Sequence, residues 1–146
     1  MTTQANRPMR RSSTAAGKRG EHIAERYLTD HGFTIIARNW RGKRSRHEID
    51  LIVRDGETLV FVEVKSARTR AFGDPATWIG PRKQRAIIAA ARDYLSQIPA
   101  DSGPVRFDAV LIEPADSDGQ RAVRHVKAAF VEEEGGFVGQ NPCGPD

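Results

Sequence analysis

The chain has 146 residues and a mass of 16.2 kDa, enough for one domain around one core. Hydrophobic residues make up 38% and charged residues 29%, and no run of 18 apolar residues occurs, which excludes a transmembrane helix. The single cysteine, Cys143, excludes an internal disulfide and a cysteine-based zinc centre.

The net charge of +4 is unevenly spread. Residues 1–20 carry five basic residues and no acid, residues 21–112 carry 15 basic and 12 acidic, and residues 113–146 carry 3 basic and 7 acidic. The basic N-terminal stretch lacks the apolar segment of a secretory signal, so a cytoplasmic location is expected. A sequence pI near 9.6 points towards a polyanionic partner, although much of the excess charge lies in the N-terminal arm. Within the core, Arg38, Arg41, Lys43, Arg44 and Arg46 form a run without an acid, with Trp40 inside it. That pattern suits phosphate contacts with an aromatic for stacking, and it equally suits an ordinary surface loop.

In chain order, residues 1–16 read as a flexible basic arm. Gly17–His31 reads as a helix whose stripe of Ile23, Ala24, Tyr27 and Leu28 faces the core. Phe33–Ala37 is the first predicted strand, and Arg38–Arg46 a basic loop. Glu48–Val53 and Thr58–Lys65 are two further strands joined at Asp55-Gly56, a two-residue hairpin signal. Ser66–Gly80 reads as a long loop. Pro81 opens a second helix with Ile87, Ile88, Ala91, Tyr94 and Leu95 on its buried side. Val105–Ile112 alternates as a fourth strand, Ala122–Val126 makes a short fifth, and residues 131–146 read as a flexible acidic tail. The domain proper is therefore expected over residues 17–130. The helix between the third and fourth strands makes them parallel neighbours, while the hairpin makes the second and third antiparallel. The expected fold is an α/β layer structure with a mixed central sheet flanked by helices.

The hairpin carries charge on an otherwise apolar surface. Strict alternation puts Glu48, Asp50 and Ile52 on one face, and Leu59, Phe61, Glu63 and Lys65 on the docked face of the partner strand. With Asp55 and Gly56 as the loop, Arg54 faces Glu57, Asp50 faces Phe61 and Glu48 faces Glu63. Like charges brought together in this way need a cation. Lys65 is one candidate, and a divalent Mg²⁺ or Mn²⁺ ion is the other. The plainer reading is a surface hairpin with a cross-strand Glu48–Lys65 pair. Glu21 borders the buried stripe of the first helix and can reach the same sheet face, or can simply favour the helix dipole. Arg82, Lys83, Gln84 and Arg85 crowd the first turn of the second helix, where they either meet phosphates or are solvated.

At these residues the sequence resembles a known family. Gly20-Glu21, Arg38-Asn39, Glu48-Ile49-Asp50-Leu51-Ile52, Leu59-Val60-Phe61-Val62-Glu63-Val64-Lys65, Pro81-Arg82-Lys83-Gln84, Arg106-Phe107-Asp108 and Ala129-Phe130 look like the YraN family of bacterial proteins. That family is similar to the restriction-endonuclease-like PD-(D/E)xK nucleases and to archaeal Holliday junction resolvases. The resemblance implies an αβββαβ core. It also implies metal-binding acids at Asp50 and Glu63, a catalytic lysine at Lys65 and a helix-borne acid at Glu21. Two departures from the family pattern are His47, where glycine is usual before Glu-Ile-Asp, and Ser66-Ala67 after the lysine.

The leading expectation is a metal-dependent nuclease. Asp50 and Glu63 hold Mg²⁺ or Mn²⁺, assisted by Glu21, Glu48 and the Val64 carbonyl. Lys65 stabilises developing charge, and Gln84 positions the nucleophile or a phosphate. Arg38, Arg41, Lys43, Arg44, Arg46, Arg68, Arg82 and Lys83 grip the backbone of a nucleic acid, with DNA favoured over RNA. No small-molecule cofactor and no membrane partner are expected, and the oligomeric state is left open. The alternatives are a nucleic-acid-binding module of the same fold without turnover, and an interaction factor that recruits partners through its terminal arms.

Overall fold

The computed structural model describes residues 15–133 and 136–139. Two helices, α1 (Ala15–Asp30) and α2 (Pro81–Leu95), pack on a six-stranded sheet. The strands are β1 (Thr34–Arg41), β2 (Glu48–Asp55), β3 (Thr58–Ser66), β4 (Val105–Ile112), β5 (Val123–Glu133) and β6 (Gly136–Gly139), and they lie side by side in sequence order. Only β3 and β4 are parallel, joined through α2, and every other neighbouring pair is antiparallel. This is the mixed α/β sheet of a restriction-endonuclease-like core.

Each face of the sheet buries its own cluster. On one face Ala24 and Leu28 of α1 pack against Leu51, Val53, Val60, Val62, Val110 and Ile112. On the other, Ile87, Ile88 and Ala91 of α2 pack against Ile52, Leu59, Phe61, Phe107 and Phe130. The central strands are covered on both sides, which explains the near-continuous apolar run Leu59–Val62. α1 lies close to the end of β3 because Gly20 has no side chain, and a Cβ there would stand 2.4 Å from Ser66 Oγ.

Several boundaries differ from the sequence reading. β1 runs to Arg41, so Arg38 and Trp40 sit on an edge strand rather than in a loop. Edge strands tolerate such charges because one side faces water. The remaining loop is pinned to α2, since Asp93 Oδ2 accepts the backbone N–H groups of Arg44 at 3.1 Å and Ser45 at 2.7 Å. Trp40 makes an edge contact with Tyr94 at a centroid separation of 5.3 Å and packs on the core, which removes it as a free stacking platform. Pro75–Thr77 forms a short 3₁₀ turn inside the long loop. β5 runs past Phe130 to Glu133 and pairs with β6, so its last three residues and β6 fall within the stretch read as a tail. The basic arm through residue 14, and residues 134–135 and 140–146 of the acidic tail, lie outside the described residues.

The hairpin register also differs. Asp55 pairs with Thr58, leaving Gly56 and Glu57 as the loop, and Ile52 rather than Asp50 stands opposite Phe61. Gly56 has φ +63°, which matches the preference for glycine at the first position of a II′ turn. The Asp-Gly signal marks the bend correctly but is one residue out of phase with it. Each partner moves by two residues, so the face parity survives while the predicted Glu48–Glu63 opposition does not.

Candidate metal and catalytic site

The ladder between β2 and β3 is paired from Asp55↔Thr58 to Leu51↔Val62. Immediately beyond it come Asp50 on one strand and Glu63 on the other. There the Val64 N–H donates to Asp50 Oδ2 at 2.8 Å. A side-chain carboxylate thus satisfies a main-chain donor of the strand. Strict alternation fails at the same place: Ile49 joins Ile52 in the α2-side cluster, whereas Leu51 lies in the α1-side cluster.

The cleft at this point has a volume of about 580 Å³ and gathers Glu21, Glu48, Asp50 and Glu63 with Lys65 and Lys83. Arg41, Arg46 and His47 also line it. The acids therefore come from α1, β2 and β3. Burial, followed by the Glu63 charge, raises Asp50 well above the ordinary aspartate range, against the pull of the Val64 N–H. Burial likewise raises Glu63, while the Lys83 ammonium pulls the other way. Glu21 is raised by burial, and its hydrogen bond from Asn39 opposes the shift.

Two contacts in this arrangement escape sequence reasoning, although Lys83 itself is expected at a phosphate and Asn39 lies in a family motif. Lys83 Nζ stands 3.7 Å from Glu63 Oε2, so the cation beside that acid comes from the first turn of α2, and Lys65 remains exposed. Asn39 Nδ2 donates to Glu21 Oε1 at 3.1 Å, holding the helix acid from β1. Asn39 has φ +47°, a conformation asparagine tolerates better than most residues. An asparagine between arginine and tryptophan in a strand is the only trace of this in the sequence.

Other expected site residues lie elsewhere. Gln84 is buried and donates through Nε2 to the Ile79 carbonyl at 2.7 Å, outside the cleft lining. Arg38 is taken by Glu25, with Nε 3.0 Å from both carboxylate oxygens. Arg68 lines a neighbouring cleft, and Lys43, Arg44 and Arg82 are exposed outside the acid cleft. Arg41 reaches the Arg46 carbonyl, which ties two of the cleft arginines together.

The donor set fits a hard divalent cation. Two adjoining carboxylates with raised proton affinity are relieved by a cation, and Mg²⁺ is commonly held by one or two carboxylates plus water and phosphate oxygens. Among the described residues no three His, Cys, Asp or Glu side chains are grouped tightly enough to enclose an ion. The side chains that could hold one are Asp50 and Glu63.

A mixed sheet with helices on both faces, and acids meeting where β2 and β3 part, defines the restriction-endonuclease-like class of the PD-(D/E)xK superfamily. Within it, residues 20–112 match the model of the uncharacterised protein family UPF0102, and the chain belongs to that family, the YraN family indicated by its motifs. It is 42% identical over 116 residues to a UPF0102 protein of Anaeromyxobacter dehalogenans, covering 80% of this chain and 84% of the relative. A UPF0102 protein of Symbiobacterium thermophilum is 42% identical over 118 residues, covering 81% and 98%. A third, from Chlorobium limicola, is 42% identical over 123 residues, covering 82% and 94%. No helix among the described residues is long and apolar enough to cross a membrane.

Proposed function

We propose that the chain is a metal-dependent phosphodiesterase acting on nucleic acid. The observation that carries this reading is the adjoining pair Asp50 and Glu63, partly buried with raised proton affinity in a cleft rimmed by basic side chains. Asp50 and Glu63 would hold Mg²⁺ or Mn²⁺, with Glu21 and Glu48 facing the same cleft. Bound there, the ion would supply Lewis acidity towards a phosphoryl oxygen and lower the pKa of water. The Val64 N–H keeps the Asp50 carboxylate in one orientation. Lys65 offers its ammonium to negative charge developing on the phosphate. Arg41 and Arg46 present guanidinium groups to the backbone, which gives grip without base readout. DNA is the favoured substrate.

The test is a panel of branched, nicked, single- and double-stranded DNA and RNA with Mg²⁺ or Mn²⁺. Cleavage by the unaltered chain and its loss in Asp50→Ala and Glu63→Ala supports the reading. Cleavage that both variants retain contradicts it. One observation favours a second reading, a binding module of the same fold without turnover: Arg41, Arg46 and exposed Lys65 line the cleft and could hold a nucleic-acid backbone without a metal. Salt-sensitive binding of the panel without cleavage under either metal would select that alternative.

A further inference from the structure

A second cleft of about 460 Å³ lies beside the acid cleft. Gly17 and Ser66 line both, so the two meet at the place where α1 passes the end of β3. Gly20, also in the lining, brings α1 close to Ser66 there, and neither glycine puts a side chain in the passage. Three arginines line the second cleft, Arg19 of α1, Arg68 after β3 and Arg121 before β5, and no carboxylate of a described residue joins them.

The surrounding charges sharpen the picture. Glu113, the buried acid at the end of β4, is engaged by Arg70 at 3.3 Å and Arg124 at 2.7 Å. Arg121 instead donates to the Glu113 main-chain carbonyl at 3.3 Å, which anchors it without neutralising it. Arg19, Arg68 and Arg121 form no ion pair among the described residues. Three positive side chains on one cleft are suited to a polyanion. Arginines from three separate segments line this cleft, and its lining holds no aromatic or acidic residue. Such a lining suits phosphates and offers little to distinguish one base from another.

We propose that this cleft is a phosphate track, holding the nucleic-acid backbone on one side of the acid cleft, with the strand passing over Gly17 and Ser66 between the two. The inference rests on the phosphodiesterase reading and adds to it a direction for the strand and a minimum substrate length. A fragment that fills only the acid cleft does not reach the three arginines, whereas a longer strand does.

The experiment uses the full chain with Ca²⁺ as a metal probe, and fluorescence anisotropy of labelled DNA, single-stranded and duplex, of about 4 and 20 nucleotides. The triple variant Arg19→Ala, Arg68→Ala, Arg121→Ala is expected to weaken binding of the longer DNA at least tenfold, leaving the shorter within about twofold. Each lost phosphate contact flattens the dependence of log K on log salt by about 0.7 for single strands and about 0.9 for duplex, so the slope should fall by roughly 2–3. The matching triple lysine variant should restore most of the slope, which a folding defect would not allow. Unchanged affinity and slope in the alanine variant, with binding still sensitive to Arg41→Ala or Arg46→Ala, overturns the track and leaves the phosphodiesterase reading intact. No binding by the unaltered chain of any DNA, nor of RNA of the same lengths, overturns both.

Discussion

Asp50 Oδ2 accepts the Val64 N–H at 2.8 Å, just past the last cross-strand pair, Leu51↔Val62. One carboxylate thereby closes the ladder and faces the acid cleft. Asp50→Asn retains an oxygen for this hydrogen bond and removes the charge. Because folding raises the Asp50 pKa, its favourable contribution is complete below the ordinary aspartate range and fades as pH rises through the raised value. Without metal, Asp50→Asn should therefore melt a few degrees above the unaltered chain at neutral pH, about what 1 kcal/mol produces in a domain of this size. The gap should vanish in acid. Asp50→Ala should be about 1–3 kcal/mol less stable than Asp50→Asn, because it leaves the Val64 N–H unpaired. Thermal melts across pH read all three.

The two lysines of the cleft should separate stability from turnover. Lys83 faces Glu63, while Lys65 is exposed on the rim. Lys83→Met should cost up to about 1 kcal/mol at neutral pH, since the pair is half-exposed, and nothing once Glu63 is protonated. Lys65→Met should leave unfolding within about 0.5 kcal/mol of the unaltered chain. It should slow cleavage by about 10²–10³-fold, the usual cost of removing one group that stabilises developing charge. Urea unfolding at two pH values and single-turnover cleavage give the two readouts.

A different acid, Asp108, should make the fold sensitive to low pH. Asp108 of β4 is fully buried and accepts from Arg106 at 2.8 and 2.9 Å and from the Ala128 N–H at 3.0 Å, with His125 Nε2 2.9 Å away. Burial alone would raise its pKa, but the hydrogen bonds from His125, Arg106 and Ala128 outweigh it and hold it below the ordinary range. A lowered folded-state pKa means stability that is present above the ordinary aspartate range and lost as pH falls through the lowered value. Asp108→Ala should destabilise the fold by about 1–3 kcal/mol, since Arg106 keeps its ion pair with Asp55 at 3.0 Å while the Ala128 N–H and the buried His125 ring lose their acceptor. Urea unfolding at pH 7 and in acid should show that deficit shrinking as pH falls.

Local physics made much of this legible in advance. The stripe of Ala24 and Leu28, the alternation of Val105–Ile112 and the Asp-Gly bend each declare an element, and together they dictate the parallel β3–β4 pair. The acids of the cleft stand out because Glu48, Asp50 and Glu63 interrupt apolar strands. What escaped prediction depends on long-range packing. The register hung on which two residues occupy the bend, and the twist at Asn39 and Asp50 breaks the alternation on which face assignments rely. The contact from Lys83 to Glu63 depends on how α2 docks, and Gln84 looks polar and available until that docking buries it. Arg38 reads as free for phosphate until Glu25 comes across from α1 to hold it.

The central claim, that Asp50 and Glu63 form a divalent-metal centre, is tested most directly by calorimetric titration of Mn²⁺ into the metal-free chain in buffers of different ionisation enthalpy. Mn²⁺ should bind with proton release, more tightly as pH rises, because both carboxylates must be ionised to bind the ion. Asp50→Asn and Glu63→Gln should abolish that signal while still melting cooperatively. Absence of Mn²⁺ binding by the unaltered chain, or the same heat and proton release in both variants, would contradict it.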